Sequence, residues 1–237
     1  MSENNFFNDI GGLSEVKYEN TRISSPKQKF GQHCFLLLEF KTDTHTFVNK
    51  KVMAATSSVM VSLGTPAPMF TLTDVVSGNA VSLPHQKDAV ATVIMFICNH
   101  CPYVKHINAA LVRLATDYLP RGISFMAISS NDTTKYPEDG PEKMKALALH
   151  HKYPFPYLYD ETQQVARAFD AACTPDFFVY DKNLKLVYRG QFDDSRPGNT
   201  IPVTGNDLRQ AIDCVVANKP VSDQQKPSIG CNIKWKQ

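Results

Sequence analysis

No apolar run long enough to cross a membrane occurs in the 237-residue sequence. The longest, AVATVIMFIC at 89–98, is about half of the roughly 20 residues that a spanning helix needs. A basic segment leading into an apolar stretch is also missing at the start. CFLLLEF at 34–40 is too short for that role and carries Glu39, so the expected location is cytoplasmic. Charge of one sign is lacking too. Lys and Arg number 25 against 23 Asp and Glu, a net charge of +2, and the scattered excess argues against a nucleic-acid surface. No internal repeat is visible, and no segment asks for a bound cofactor.

What is present is a chain with an ordinary composition, 43% hydrophobic and 20% charged, long enough to bury a sizeable core. Residues 1–59 are rich in Asn, Lys, Ser and Thr, with weak periodicity, and are expected to be a poorly ordered N-terminal extension. Regular patterning begins near VSLGTPAPMFTLTD. APMFTLTD and AVSL suggest short strands around a turn at Ser77-Gly78-Asn79. AVATVIMFI reads as a strand buried on both faces. Val104, Ile107, Leu111, Leu114 and Tyr118 then mark one face of a helix that ends at Arg121-Gly122. ISFMAISS reads as a second buried strand, parallel to the first because a helix connects them.

Pro141 opens a further helix, with Met144, Leu147 and Ala148 inward. FPYLYD suggests a short strand. Asp160 and Gln163 suggest a capping box for a solvated helix through Phe169. PDFFVYD and LKLVYRG form a hairpin turning at Lys182-Asn183, and Leu208, Ile212, Val215 and Val216 mark a last helix. The boundaries expected are an extension at 1–59, an α/β domain at 60–218 and a tail at 219–237 that carries Cys231.

Six cysteines are present, at 34, 98, 101, 173, 214 and 231. Without an export signal they do not form a disulfide framework, and only Cys98 and Cys101, in FICNHCPYV, have diagnostic spacing. A pair three apart in a first helical turn shares one side and can close a disulfide. A cysteine at a strand–helix junction also faces unpaired amides and the positive end of the helix dipole, which favours the thiolate. Cys98 is accordingly expected to be the more exposed and more acidic of the two. His100 supports the effect, and Pro102 fits just inside the helix start. Two rival readings stand beside a redox dithiol: a pair of small core residues, or a metal site made of Cys98, Cys101, His106 and Cys173. A single CxxC inside a βαβ pattern argues against metal, since structural zinc sites usually pair two such knuckles.

The order strand, CxxC, helix, strand, helix, TPDFFVYD hairpin and final helix resembles the thioredoxin-like fold, a central mixed sheet flanked by helices. CNHCPYV, CTPDFFVYD and SIGCNIKW together resemble a peroxiredoxin-like bacterial group of the alkyl hydroperoxide reductase and thiol-specific antioxidant superfamily. The resemblance implies that Thr174-Pro175 is a cis-proline site opposite the dithiol, where a partner's backbone pairs. It also implies thiol-disulfide exchange by Cys98 and Cys101 on protein or small-molecule disulfides and thiols. The alternatives are a thiol-dependent peroxide reductase, with peroxides as substrate, and a non-catalytic binding module. The chain departs from the peroxiredoxin motif, because Met95 stands where the peroxide-holding hydroxyl belongs. The strand before the dithiol also lacks the buried acid of thioredoxins, so His100, His106 or water would move protons. Cys173, beside Thr174, and Cys231, in the tail, are candidate resolving thiols. Cys173 is the favoured one, and Cys214 is expected in the core.

Overall fold

The computed structural model describes residues 55–237. Cys34 and most of the expected N-terminal extension lie outside the described residues. In chain order the elements are β1 (Ala55–Ser57), β2 (Thr71–Asp74), β3 (Ala80–Ser82), β4 (Ala91–Phe96), α1 (Pro102–Tyr118), β5 (Ile123–Ser129), α2 (Pro141–His151), β6 (Tyr157–Tyr159), α3 (Gln164–Ala168), β7 (Cys173–Thr174), β8 (Asp176–Asp181), β9 (Leu186–Gly190), α4 (Asn206–Val216) and β10 (Ile229–Asn232).

Seven strands form the central sheet in the order β3-β2-β6-β5-β4-β8-β9. β4 and β5 are parallel, from Ala91↔Ile123 to Phe96↔Ile128, as the intervening helix requires. β8 pairs with the other edge of β4 in antiparallel register, Ile94↔Phe178. Every residue of β4 and β5 is buried, so both faces of the sheet are covered and the strands read as unbroken apolar runs. The two-residue period divides them cleanly. Val93, Met95, Phe125, Phe177 and Val179 face α1, α2 and α4, where Leu111, Leu114, Met144, Leu208 and Ile212 pack. Ile94, Phe96, Met126 and Phe178 face the opposite layer. There Phe169 meets Phe96 and Phe178 edge-on, both at 5.5 Å between ring centroids.

Three local expectations change. The capping box at Asp160 does not form. Asp160 caps α3 alone, accepting the Ala166 amide at 2.9 Å, while buried Gln163 turns inward and donates to the carbonyls of Ser130 and Lys234 at 2.6 and 2.8 Å. This segment therefore clamps the C-terminal tail through Gln163, while Gln164, Arg167 and Ala168 of α3 stay exposed, as expected of a solvated helix. Cys214 is half-buried, because the buried stripe of α4 is Leu208, Ala211 and Ile212 and leaves Cys214 at its edge. Leu147 is also only partly buried on α2.

The tail is built into the fold. β10 lies between β1 and β7 in a three-stranded antiparallel sheet. Its register sets Cys231 opposite Ala55 on one side and Thr174 on the other. Gly230 is required there: a Cβ would stand 2.0 Å from the Thr174 carbonyl oxygen.

Candidate active site

The site gathers at the C-terminal end of the parallel strands, where the chain leaves β4 and β5. After β4 the backbone stays attached to β5 for one more step, the Ile97 amide donating to Ile128 at 3.0 Å. It then turns through Cys98-Asn99-His100-Cys101. Cys101 is the N-cap residue of α1, in an extended conformation at φ −64°, ψ 122°, with Pro102 at the first helical position. Proline is tolerated there because its missing amide would have no helical partner.

Cys98, Cys101, Cys173 and Cys231 are free thiols, and all four are buried. Cys98 Sγ lies 3.5 Å from the Thr174 hydroxyl and 4.0 Å from His100 Nδ1. Cys101 Sγ lies 3.1 Å from the Thr174 carbonyl oxygen. The Thr174–Pro175 peptide is cis. The chain thus brings Cys98, His100, Cys101, Pro102, Thr174 and Pro175 into one place.

The expected order of acidity is reversed, and neither sulfur is exposed. Cys98 is 1% exposed and Cys101 0%, because β7 and β10 cover the pair. Helix α1 starts after Cys101, so Cys101 and not Cys98 faces the amides of its first turn. The thiols of Cys231 and Cys98 and the Val104 amide push Cys101 far down against the opposing effect of burial. The neighbouring Cys101 thiol, burial and the negative charge of Asp139 push Cys98 well up. One charge shared by these sulfurs resides on the helix cap.

The carboxylate that holds His100 comes from a residue without a strong mark in the sequence. Asp139 is fully buried in the turn before α2. Its Oδ2 lies 2.5 Å from His100 Nδ1 and accepts from Asn131 at 2.8 Å. Its Oδ1 accepts the backbone amides of Asn99 and His100 at 2.8 and 3.1 Å. Burial raises the Asp139 carboxyl, but the hydrogen bonds from His100 and Asn131 and the His100 charge outweigh it, and the net direction is down. Tyr136 stacks on His100 at 5.3 Å, and Tyr157 donates to Asn99 at 3.1 Å. The signal available in the sequence was the acidic Glu138-Asp139 pair ahead of Gly140-Pro141, just past a parallel strand, where open α/β sheets place their ligands.

Cys98, His100 and Asp139 hold ligand atoms within 4.8 Å of one another, the one cluster of metal-ligating type among the described residues. It differs from the set considered from sequence, since Cys101, His106 and Cys173 take no part. The Asp139 oxygens already accept four hydrogen bonds, which suits a carboxylate that orients a ring. His106 instead lines a shallow groove with Tyr103, Pro175, Phe192, Arg196 and Ile229. The two candidate resolving thiols separate as well. Cys231 flanks Cys101, whereas Cys173 Sγ points to the carbonyls of Pro175 and Ser228 at 3.8 and 3.9 Å.

The family model for AhpC/TSA proteins matches residues 63–189, just over half of the chain. The chain belongs to the AhpC/TSA family. It is an oxidoreductase of thioredoxin-like fold, and its dithiol sits in the matched region. A solved structure from Geobacillus kaustophilus, described as an uncharacterized conserved protein, is 62% identical over 78% of this chain and 97% of its own, with a TM-score of 0.76. A hypothetical protein from Sinorhizobium meliloti 1021 is 50% identical over 76% of this chain and 98% of its own, TM-score 0.75. A thiol:disulfide interchange protein of the thioredoxin family from Chlorobium tepidum is 18% identical over 66% of this chain and 99% of its own, with a TM-score of 0.51, a likeness of fold. No curated protein matches the sequence. Among the described residues no helix is long and apolar enough to cross a membrane.

Proposed function

We propose that this AhpC/TSA-family chain is a thiol-disulfide oxidoreductase whose working group is the Cys98–Cys101 dithiol. The observation that carries the reading is the placement of two free thiols at the β4–α1 junction, with Cys101 at the helix cap and both sulfurs against Thr174. In the reductive direction the Cys98 sulfur attacks one sulfur of a partner disulfide. The partner's S–S bond breaks, one partner thiolate leaves, and the proton of Cys98 passes towards His100, which Asp139 orients. The Cys101 thiolate, already favoured at the helix cap, then attacks the Cys98 sulfur and releases the second partner thiolate. Two electrons have moved from the dithiol to the partner, and a Cys98–Cys101 disulfide remains. The same steps reversed oxidise a dithiol. Partners are protein or small-molecule disulfides and thiols, and the groove beside Pro175 is the side from which they approach.

The test is a redox titration of the purified chain in glutathione buffers, with Cys98 and Cys101 read by mass spectrometry. A reversible two-electron transition that forms a Cys98–Cys101 bond is expected, and Cys101→Ser should accumulate glutathione on Cys98. A dithiol that stays reduced across the whole range from about −270 to −120 mV, with no adduct in Cys101→Ser, would overturn the reading.

A further inference from the structure

Cys231 lies 130 positions beyond Cys101 in the sequence, yet the fold delivers it to the dithiol. β10 occupies the hydrogen-bonding edge of β7, with Cys231 opposite Thr174. Thr174 is the residue whose hydroxyl and carbonyl touch the sulfurs of Cys98 and Cys101. β1 closes the far side of β10 through Ala55↔Cys231. Two further contacts pin the segment on either side of Cys231. The Ser228 hydroxyl donates to Gly190 at 2.6 Å, and the Lys234 amide donates to Asn131 Oδ1 at 2.8 Å. Cys231 is therefore a centre-strand residue, 1% exposed, in the same core cluster as Cys98 and Cys101. Its thiol is a neighbour of the Cys101 thiol, and each alters the other's proton affinity. A cysteine kept only for its volume would not need to sit on the strand that pairs with Thr174.

We propose that Cys231 is a third redox thiol of the site, an internal exchange partner that takes over Cys101 from the Cys98–Cys101 disulfide. The proposal rests on the thiol-disulfide reading above. The Cys231 sulfur, losing its proton, attacks Cys101 Sγ. The Cys98–Cys101 bond breaks, a Cys101–Cys231 bond forms, and Cys98 leaves as a thiolate that takes up the proton given up by Cys231. No electrons are gained or lost overall. The oxidising equivalent is stored under β10, and Cys98 returns to the thiol state, free for a second partner.

The experiment uses the full chain, oxidised glutathione as the oxidant, acid quenching, alkylation and disulfide mapping by mass spectrometry. In Cys98→Ser the Cys101 thiolate takes one glutathione, and Cys231 displaces it to give an intramolecular Cys101–Cys231 bond. Adding Cys231→Ser should abolish that bond and leave glutathione on Cys101, whereas adding Cys173→Ser should change nothing. Glutathione retained on Cys101 in Cys98→Ser, or a Cys101–Cys173 bond, overturns the proposal. Should Cys98→Ser fail to fold, partly oxidised wild type decides. Molecules with Cys98 alkylated and Cys101 joined to Cys231 are expected, and their loss in Cys231→Ser; a wild type that shows only Cys98–Cys101 overturns the proposal. A wild type that forms no Cys98–Cys101 bond at all counts against the underlying dithiol reading instead.

Discussion

Asp139 grips the 99–100 segment twice: Oδ2 lies 2.5 Å from the His100 ring, and Oδ1 accepts the Asn99 and His100 amides at 2.8 and 3.1 Å. One carboxylate therefore fixes both the ring beside Cys98 and the backbone between the two cysteines. Asp139→Asn should lower exchange activity and flatten its dependence on pH, while Asp139→Glu restores part of both. The stability effect has a sign. The folded carboxyl is lowered, so its contribution is present above the unfolded value of about 3.9 and disappears as pH falls through the folded value. At neutral pH the Asn variant should be less stable by about 1–3 kcal/mol, the cost of leaving buried donors poorly paired, and the two proteins should converge in acid. Urea unfolding across pH measures the difference. A variant as stable as wild type at pH 7 would remove Asp139 from this role.

A second buried pair supports β8, the strand that follows Pro175. Arg189 and Asp176 are both fully buried, with Nη2 3.2 Å from Oδ2. Arg189 also donates to the Asp170 carbonyl at 2.6 Å and lies 4.5 Å from the Phe178 ring centroid. Removing one partner strands the other charge, so Arg189→Met should destabilise by about 3–5 kcal/mol. Burial raises the Asp176 carboxyl to about 6 in spite of the Arg189 charge. A raised value means that its stabilising contribution is complete below about pH 4 and is lost as pH rises through about 6. Asp176→Asn should cancel that part of the pH dependence in thermal melts. An unchanged slope between pH 4 and 6 would contradict the assignment.

The sheet and its helices were legible because their signals are local. β4 is an unbroken apolar run, α1 repeats on one face, and a short crossover forces parallel pairing. The pieces that complete the site are not local. Asp139 reaches His100 across 39 positions, and its one local mark, the Glu138-Asp139 pair ahead of Gly140-Pro141, is shared with ordinary solvated turn acids. β1 and β10 have three and four residues, too short for a periodic signal, and they pair across most of the described chain. Cys101 differs from expectation for a smaller reason: the helix begins at Pro102, so the cap moves the dipole's effect from the first cysteine to the second. Gln163 looked like a cap residue by spacing, but the tail carbonyl of Lys234 competes for its amide.

Slow reaction with peroxide is the outcome expected of the dithiol reading. Met95 is fully buried in β4, on the face towards α1. No hydroxyl therefore rises from β4 at the position that the peroxidatic motif uses. Reduced protein mixed with one equivalent of hydrogen peroxide should oxidise slowly, with Cys98→Ser and wild type differing little. Rapid stoichiometric consumption that depends on Cys98 would show that the Thr174 hydroxyl, 3.5 Å from Cys98, substitutes for the missing group.

Gly230 offers a way to lift the tail without touching a sulfur. A methyl group there would meet the Thr174 carbonyl oxygen at 2.0 Å and its carbon at 2.6 Å. Both are backbone atoms and cannot rotate away, so Gly230→Ala must push β10 off β7 at the Cys231↔Thr174 step. The central sheet does not involve β10, and its two apolar layers should keep the domain folded. Iodoacetamide should then alkylate Cys101 and Cys231 markedly faster in native Gly230→Ala than in wild type. The gain should be largest for Cys101, whose thiolate exists at lower pH and whose access the strand now blocks. Exchange with small disulfides should rise as well, because the dithiol is uncovered. Far-ultraviolet circular dichroism checks that the fold survives. A folded variant whose alkylation rates match wild type would mean that β10 does not gate the dithiol, and that the thiols open by another movement.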